Sequence, residues 1–280
     1  IDTINRYSPS ILRFDLRHQV LWDGCDFNFE PNPAFADEFK PGAWRLWIDR
    51  LADGDFNDKP FLLYTNLDVS HESTMWSLGT PSSAASKIRL SERHRIPPEV
   101  RPDPAKVHVP AYLPDDFEVR HEIARFYEAL AIQDLQVGEI LRALEASGKS
   151  EDTYVIYLTD HGRGLPREKR WPYAAGIHNA LLIKGPEIQP GQVSKDLVSW
   201  VDLAPTILSL ADVEAPSDYE GQVFLGSEPC PPRDYIFAGR DRMDCIYDRV
   251  RVARVSHHRV FSLRKSKTVD TPQCLNSPKR

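Results

Sequence analysis

The chain has 280 residues, 41% of them hydrophobic and 27% charged, and a formal net charge of -6. This is the balance of a globular protein and excludes collagen, coiled coil and wholesale disorder, while its interspersed charges leave no basic footprint for nucleic acid. No apolar run approaches the ~18–20 residues of a membrane span, and a chain this long buries roughly 70–75% of its unfolded surface, so any metal would serve function rather than hold a core together.

The first apolar run, Phe61–Leu67, follows Pro60 and has the continuous character of a strand buried on both faces. It ends in Asp68-Val69-Ser70-His71, which puts an imidazole at the carboxyl end of a strand, the edge where α/β sheets bind ligands. Prolines, 23 against 14 glycines, then cluster in Ile96-Pro97-Pro98-Glu99 and Val109 to Pro114 and mark connecting loops. In the clearest helix, Ile123, Phe126, Leu130, Asp134, Val137, Leu141 and Leu144 recur at three- and four-residue spacing, which predicts one apolar stripe. Asp115, three residues before Glu118, is the expected cap, and Gly148 the expected end.

Thr153–Thr159 is rich in β-formers and reads as a second buried strand. It ends in Asp160-His161-Gly162 and the basic stretch Arg163-Gly164-Leu165-Pro166-Arg167-Glu168-Lys169-Arg170. Ala180–Ile183 is a third strand, preceded by Gly176-Ile177-His178, and a helix should start near Asp202 and run through Ile207, Leu208 and Leu210. Past Arg233, Asp234–Ala238 and Val250–Val255 alternate arginines with apolar residues as short strands do. Together these elements predict an α/β fold, a mostly parallel sheet sandwiched by helices over residues 1–232. A small antiparallel C-terminal subdomain over 233–264 and a polar tail over 265–280 would follow. Cys25, Cys230, Cys245 and Cys274 have no Cys-x-x-Cys spacing and read as isolated thiols.

Asp160 and His161 offer a carboxylate and an imidazole for a divalent cation, and Lys169 would neutralise charge on the outer oxygens of an anionic substrate. Aspartate and glycine after a strand are also ordinary turn formers. His71 can bind or protonate a leaving group, or simply satisfy a loop. His178 stands between the same two alternatives of ligand and loop residue. Arg240, Asp241 and Arg242 suit recognition of sugar hydroxyls or a second anion, and equally a structural salt-bridge network.

In order, Leu113-Pro114-Asp115, the helix with Gln133 to Gly138 and Leu144 to Gly148, and Thr153 through Gly162 resemble the sulfatase family of the alkaline phosphatase superfamily. The resemblance continues through Lys169-Arg170-Trp171-Pro172-Tyr173, Gly176-Ile177-His178, Val201 to Thr206 and Arg240-Asp241-Arg242-Met243-Asp244, and is nearest the bacterial sulfamidases related to heparan N-sulfatase. It implies an alkaline phosphatase-like fold and hydrolysis of a sulfate ester or sulfamate, in a sulfated small molecule or glycan, by a metal-assisted formylglycine mechanism. By that resemblance Asp160 and His161 match the metal pair, Lys169 the sulfate contact, and His71 the histidine facing the leaving group. Calcium is the implied metal; Mg2+ suits the carboxylate, and the imidazole would also tolerate Mn2+ or Zn2+.

A periplasmic or extracellular location is also implied. The family's Cys/Ser-x-Pro-x-Arg signature occurs nowhere in the sequence, so the resemblance puts formylglycine upstream of Ile1, with this chain N-terminally incomplete. A phosphodiesterase or phosphonate monoester hydrolase of the same superfamily, and a non-catalytic sulfatase-like binding protein, are the alternatives.

Overall fold

The structure, a computed structural model, describes residues 60–63, 65, 67–72, 90–243, 246–255 and 260–265, together with 48, 51 and 52. Cys25, Cys245, Cys274 and the tail from 266 onward lie outside the described residues. The chain divides into two compact units, Ile1–Tyr154 and Val155–Arg280.

In the first unit the principal element is helix α1, Phe117–Ala146. Its cap is Asp116 rather than the expected Asp115: the Asp116 side chain accepts the Val119 N–H at 2.9 Å, satisfying one of the donors a helix start leaves open. Asp115 is instead engaged by Arg120, whose Nη2 reaches Asp115 Oδ2 at 2.8 Å and whose Nη1 donates to the Ala105 carbonyl at 3.0 Å. At the far end Gly148 adopts φ 73°, a left-handed position that glycine fills at least cost, and its N–H bonds to Glu145 O at 3.0 Å.

The buried face of α1 keeps Ile123 and Leu144 of the predicted stripe and differs between them. Ala124, Glu128, Ala129, Ile132 and Gln136 are buried, whereas Phe126, Leu130 and Val137 are half-buried and Leu141 is exposed. Short alanines let neighbouring backbone approach that side, and the buried Glu128 is answered by Arg93 at 2.8 Å. Ile132 packs with Val69 and Ile96 into one cluster, against which Ala131 and Leu135 rest.

Through Val69 this cluster anchors the 3-10 turn Asp68–Ser70 on α1, and His71 follows at once. The Phe61–Leu67 run makes a single bridge at Leu63 and is otherwise irregular where it is described; Tyr64 and Asn66 fall outside the described residues.

In the second unit β1, Val155–Leu158, pairs with β2, Leu181–Lys184, in the register Val155↔Lys184 to Leu158↔Leu181. The pairing is antiparallel, where a parallel sheet was expected. An apolar run encodes burial, not direction, and direction is set by the return of the connecting segment. That segment holds the one-turn helix α2, Ala174–Ile177. Helix α3, Leu203–Leu210, begins where Asp202 predicts, after a 3-10 turn at Trp200–Asp202. A three-stranded antiparallel sheet then runs β3 (Tyr235–Met243), β4 (Ile246–Val255) and β5 (Val260–Lys265), with a bulge between Arg240 and Arg242. Among the described residues the sheets are small and antiparallel, and no helix is long and apolar enough to cross a membrane.

Because Ile132 is fully buried in a cluster of few members, Ile132→Ala should cost about 2–5 kcal/mol. A urea midpoint within experimental error of the parent would show that the cluster does not hold the first unit together.

Candidate functional site

The site grows from the end of β1. Thr159 extends the ladder by one residue: its N–H donates to Ala180 O at 3.2 Å, and its hydroxyl oxygen accepts the Ala180 N–H at 3.1 Å. Asp160 comes next, and its carbonyl accepts from Asn179 Nδ2 at 3.1 Å and Trp200 Nε1 at 3.3 Å. The backbone is therefore fixed while the carboxylate, 82% exposed, is presented outward.

His161 Nδ1 lies 2.8 Å from the Gly162 carbonyl oxygen. A carbonyl only accepts, so Nδ1 carries a proton and donates it, which leaves Nε2 as the ring nitrogen that faces Asp160. That nitrogen stands 3.2 Å from Asp160 Oδ2. A proton on Nε2 or a shared cation would bridge the two atoms at this distance, and one oxygen plus one nitrogen is a donor set that a divalent ion accepts. The chemistry of this pair is compatible with two ligands of a metal; among the described residues no group of three or more His, Cys, Asp or Glu is gathered around one point.

Backbone packing holds this edge closely. Gly162 N–H donates to Gly176 O at 3.2 Å, and a Cβ on Gly162 would fall 2.0 Å from Ala175 O. A Cβ on Gly176 would fall 2.0 Å from Trp171 O and 2.3 Å from Glu168 O. Between these glycines runs the loop that carries Lys169. Arg163 grips the buried Glu168 carboxylate with both Nε and Nη2 at 2.6 Å, and the Lys169 N–H donates to Arg163 O at 2.8 Å. Arg167 and Arg170 on either side of it take left-handed φ of 69° and 68°.

Trp200 owes its place to a capping box. The Ser199 N–H donates to Asp202 Oδ2 at 2.9 Å, while the Gln222 N–H reaches Asp202 Oδ1 at 2.8 Å and Arg233 closes on both oxygens at 3.1 and 2.6 Å. Burial pushes the Asp202 carboxyl upward, but the Arg233 guanidinium and the two N–H donors outweigh it and hold it below its ordinary 3.8.

A model of the family described as Sulfatase matches residues 43–213. The chain belongs to the sulfatase family. An ulvan-active sulfatase of Formosa agariphila is 31% identical over 252 residues, covering 82% of this chain and 40% of that protein. Arylsulfatase K of Xenopus laevis is 28% identical over 195 residues, 62% of this chain and 36% of the relative. Human N-sulphoglucosamine sulphohydrolase is 36% identical over 117 residues, 41% of this chain and 23% of its own length. The chain thus spans less than half the length of each of these sulfatases. Membership implies the alkaline phosphatase-like α/β fold.

Of the candidate residues, the structure brings Asp160 and His161 together, sets His178 exposed beside the Asn179 that holds Asp160, and places Lys169 half-buried on the adjoining loop. Arg240 is buried, with its guanidinium shared among Asp248, the Arg170 carbonyl at 2.9 Å and the Trp171 ring at 3.9 Å. Arg242 is exposed and lies against Tyr247, 5.1 Å from the ring centroid. Beside it, Arg251 holds the Asp241 carboxyl below its usual range. His71 belongs to the other unit, exposed and 3.2 Å from Glu72 Oε2. Sequence reasoning passed over Asn179, Trp200 and Glu168, because each supports the site through a contact remote in sequence or buried inside a loop.

Two outcomes follow for the second unit. Arg233→Ala leaves a buried carboxylate without its cation and should cost ~2–3 kcal/mol at neutral pH, the lower end for such pairs because Arg233 is partly exposed. Since the folded Asp202 pKa is lowered, that contribution is complete above the ordinary value of 3.8 and is lost as pH falls through the folded value. The gap between parent and variant in urea titrations should therefore narrow in acid, and a gap that is unchanged or widens there would contradict the assignment. Gly176→Ala forces two carbonyls apart and should cost roughly 1–3 kcal/mol; an unchanged thermal midpoint would show that the loop yields freely.

Proposed function

We propose that the protein hydrolyses a sulfate ester or sulfamate on a small molecule or glycan, using a divalent metal and a formylglycine nucleophile. The reading rests on one observation above all: the Asp160 carboxylate and His161 Nε2 face each other at 3.2 Å at the end of a fixed strand, a separation that two ligands of one ion can share. Asp160 and His161 are the metal ligands contributed by this segment, and calcium is the proposed ion, with Mn2+, Mg2+ or Zn2+ as substitutes. When bound, the metal draws charge from the sulfate oxygens. Formylglycine would supply the nucleophile; none of the four cysteines of the chain stands in the required signature, so no residue here is given that role.

Lys169 presents an ammonium to the non-bridging oxygens, where charge grows as the bond to the leaving group breaks. His71, when protonated, delivers its proton to the departing oxygen or nitrogen, so that the leaving group departs neutral. His178 and Arg242 are exposed and suited to hold further anionic or hydroxyl groups of the substrate. A mostly parallel sheet sandwiched by helices, of which β1 would form part, completes the proposed fold. The relatives include an ulvan-active sulfatase and an N-acetylglucosamine-6-sulfatase, which favours a sulfated sugar. A periplasmic or extracellular location suits such a substrate.

In the natural gene product, Asp160→Ala should abolish sulfate release from an aryl sulfate and lower bound metal. Lys169→Ala should lower kcat on the order of 10²-fold or more with metal retained. Full activity and full metal content in Asp160→Ala would refute the reading, and release of phosphate in preference to sulfate from matched esters would move it to the phosphodiesterases.

A further inference from the structure

The loop that carries Lys169 is badly suited to hold itself in place. Arg163, Arg167, Lys169 and Arg170 crowd cations around the single carboxylate of Glu168, and the backbone is left-handed at Arg167 and Arg170, on both sides of the lysine. Like charges repel and left-handed non-glycine residues persist only where surroundings impose them. Inside the loop the Arg163 fork on Glu168 and the Lys169 N–H on Arg163 O are restraints on its first half. A restraint on the residues after Lys169 comes from the C-terminal sheet.

We propose that Arg240 is a positioning residue for Lys169, acting through the loop rather than on the substrate. At the bulge of β3 its side chain, 7% exposed, does three things at once. Its Nη1 donates to Arg170 O at 2.9 Å, on the residue immediately after Lys169. Its guanidinium lies 3.9 Å from the Trp171 ring centroid, and Nη2 is paired with Asp248 on β4. The stack continues outward: Trp171 lies nearly parallel to Tyr173, 8° between planes and 5.5 Å between centroids, and Arg167 rests 5.0 Å from the Tyr173 ring. Lys169 is thereby bracketed by residues whose side chains or carbonyl are fastened. A lysine at 240 would keep the charge but lose the planar fork that serves a carbonyl, a carboxylate and an indole together.

The inference rests on Lys169 contacting the sulfate, so its test separates the two. Trypsin cleaves after each cation of the loop, and Arg240→Lys in the natural gene product should speed cleavage at Arg167, Lys169 and Arg170 by about tenfold or more, as expected for a segment that opens more often. Ile132→Ala, which weakens the other unit, is the control for general destabilisation. Sulfate release should fall on the order of 10- to 10²-fold in kcat with metal content unchanged. That loss should largely vanish when the two forms are compared in a Lys169→Ala background, because the two substitutions remove the same contact. Cleavage that is unchanged, or spread over the chain as in Ile132→Ala, would overturn the positioning role, as would a rate loss that multiplies with Lys169→Ala. Localised cleavage without any loss of rate would instead remove Lys169 from the sulfate contact and leave the clamp standing.

Discussion

The described part of the second unit depends on one buried carboxylate. Asp202 is almost completely withdrawn from solvent and would be costly there if any of its donors were missing. Ser199, Gln222 and Arg233 supply them from three separate stretches of chain, so that folding around this one group fixes the start of α3, the return of residue 222 and the approach to β3. The same capping box sets Trp200, and Trp200 holds the carbonyl of Asp160. A buried acid thus orders the backbone from which the exposed Asp160 carboxylate is presented.

The division of labour at Asp160 is the useful feature of this edge. Its carbonyl accepts from both Asn179 and Trp200, whereas its carboxylate is left to solvent and to His161. Because His161 Nδ1 donates to the Gly162 carbonyl, the opposite nitrogen is the one turned toward Asp160. For the anionic substrate proposed above, the local cations of the 163–170 loop would matter more than the net charge of -6.

Much of this was legible in the sequence, in proportion to how local the cause was. The length of α1, the strands at 155–158 and 181–184 and the start of α3 follow from periodicity, β-formers and turn chemistry within a few residues. The antiparallel pairing of β1 with β2 was not, since strand direction is decided by the path between them. The choice of Asp116 over Asp115 as cap turned on which carboxylate Arg120 would claim. The buried face of α1 followed Ala124, Ala129 and Ile132 because the turn at Val69 and the segment around Ile96 press on that side. Arg240 could be read as a substrate contact or as part of a salt-bridge network until its partners, Asp248 and Arg170, were placed beside it.

The central claim is that Asp160 and His161 form two ligands of one metal site, with His161 binding through Nε2. Pulsed EPR on the Mn2+-loaded natural gene product reads this directly. The account predicts a coupling from a directly bound imidazole nitrogen in the parent protein that disappears in His161→Gln; no nitrogen coupling, or a coupling that survives His161→Gln unchanged, would contradict it.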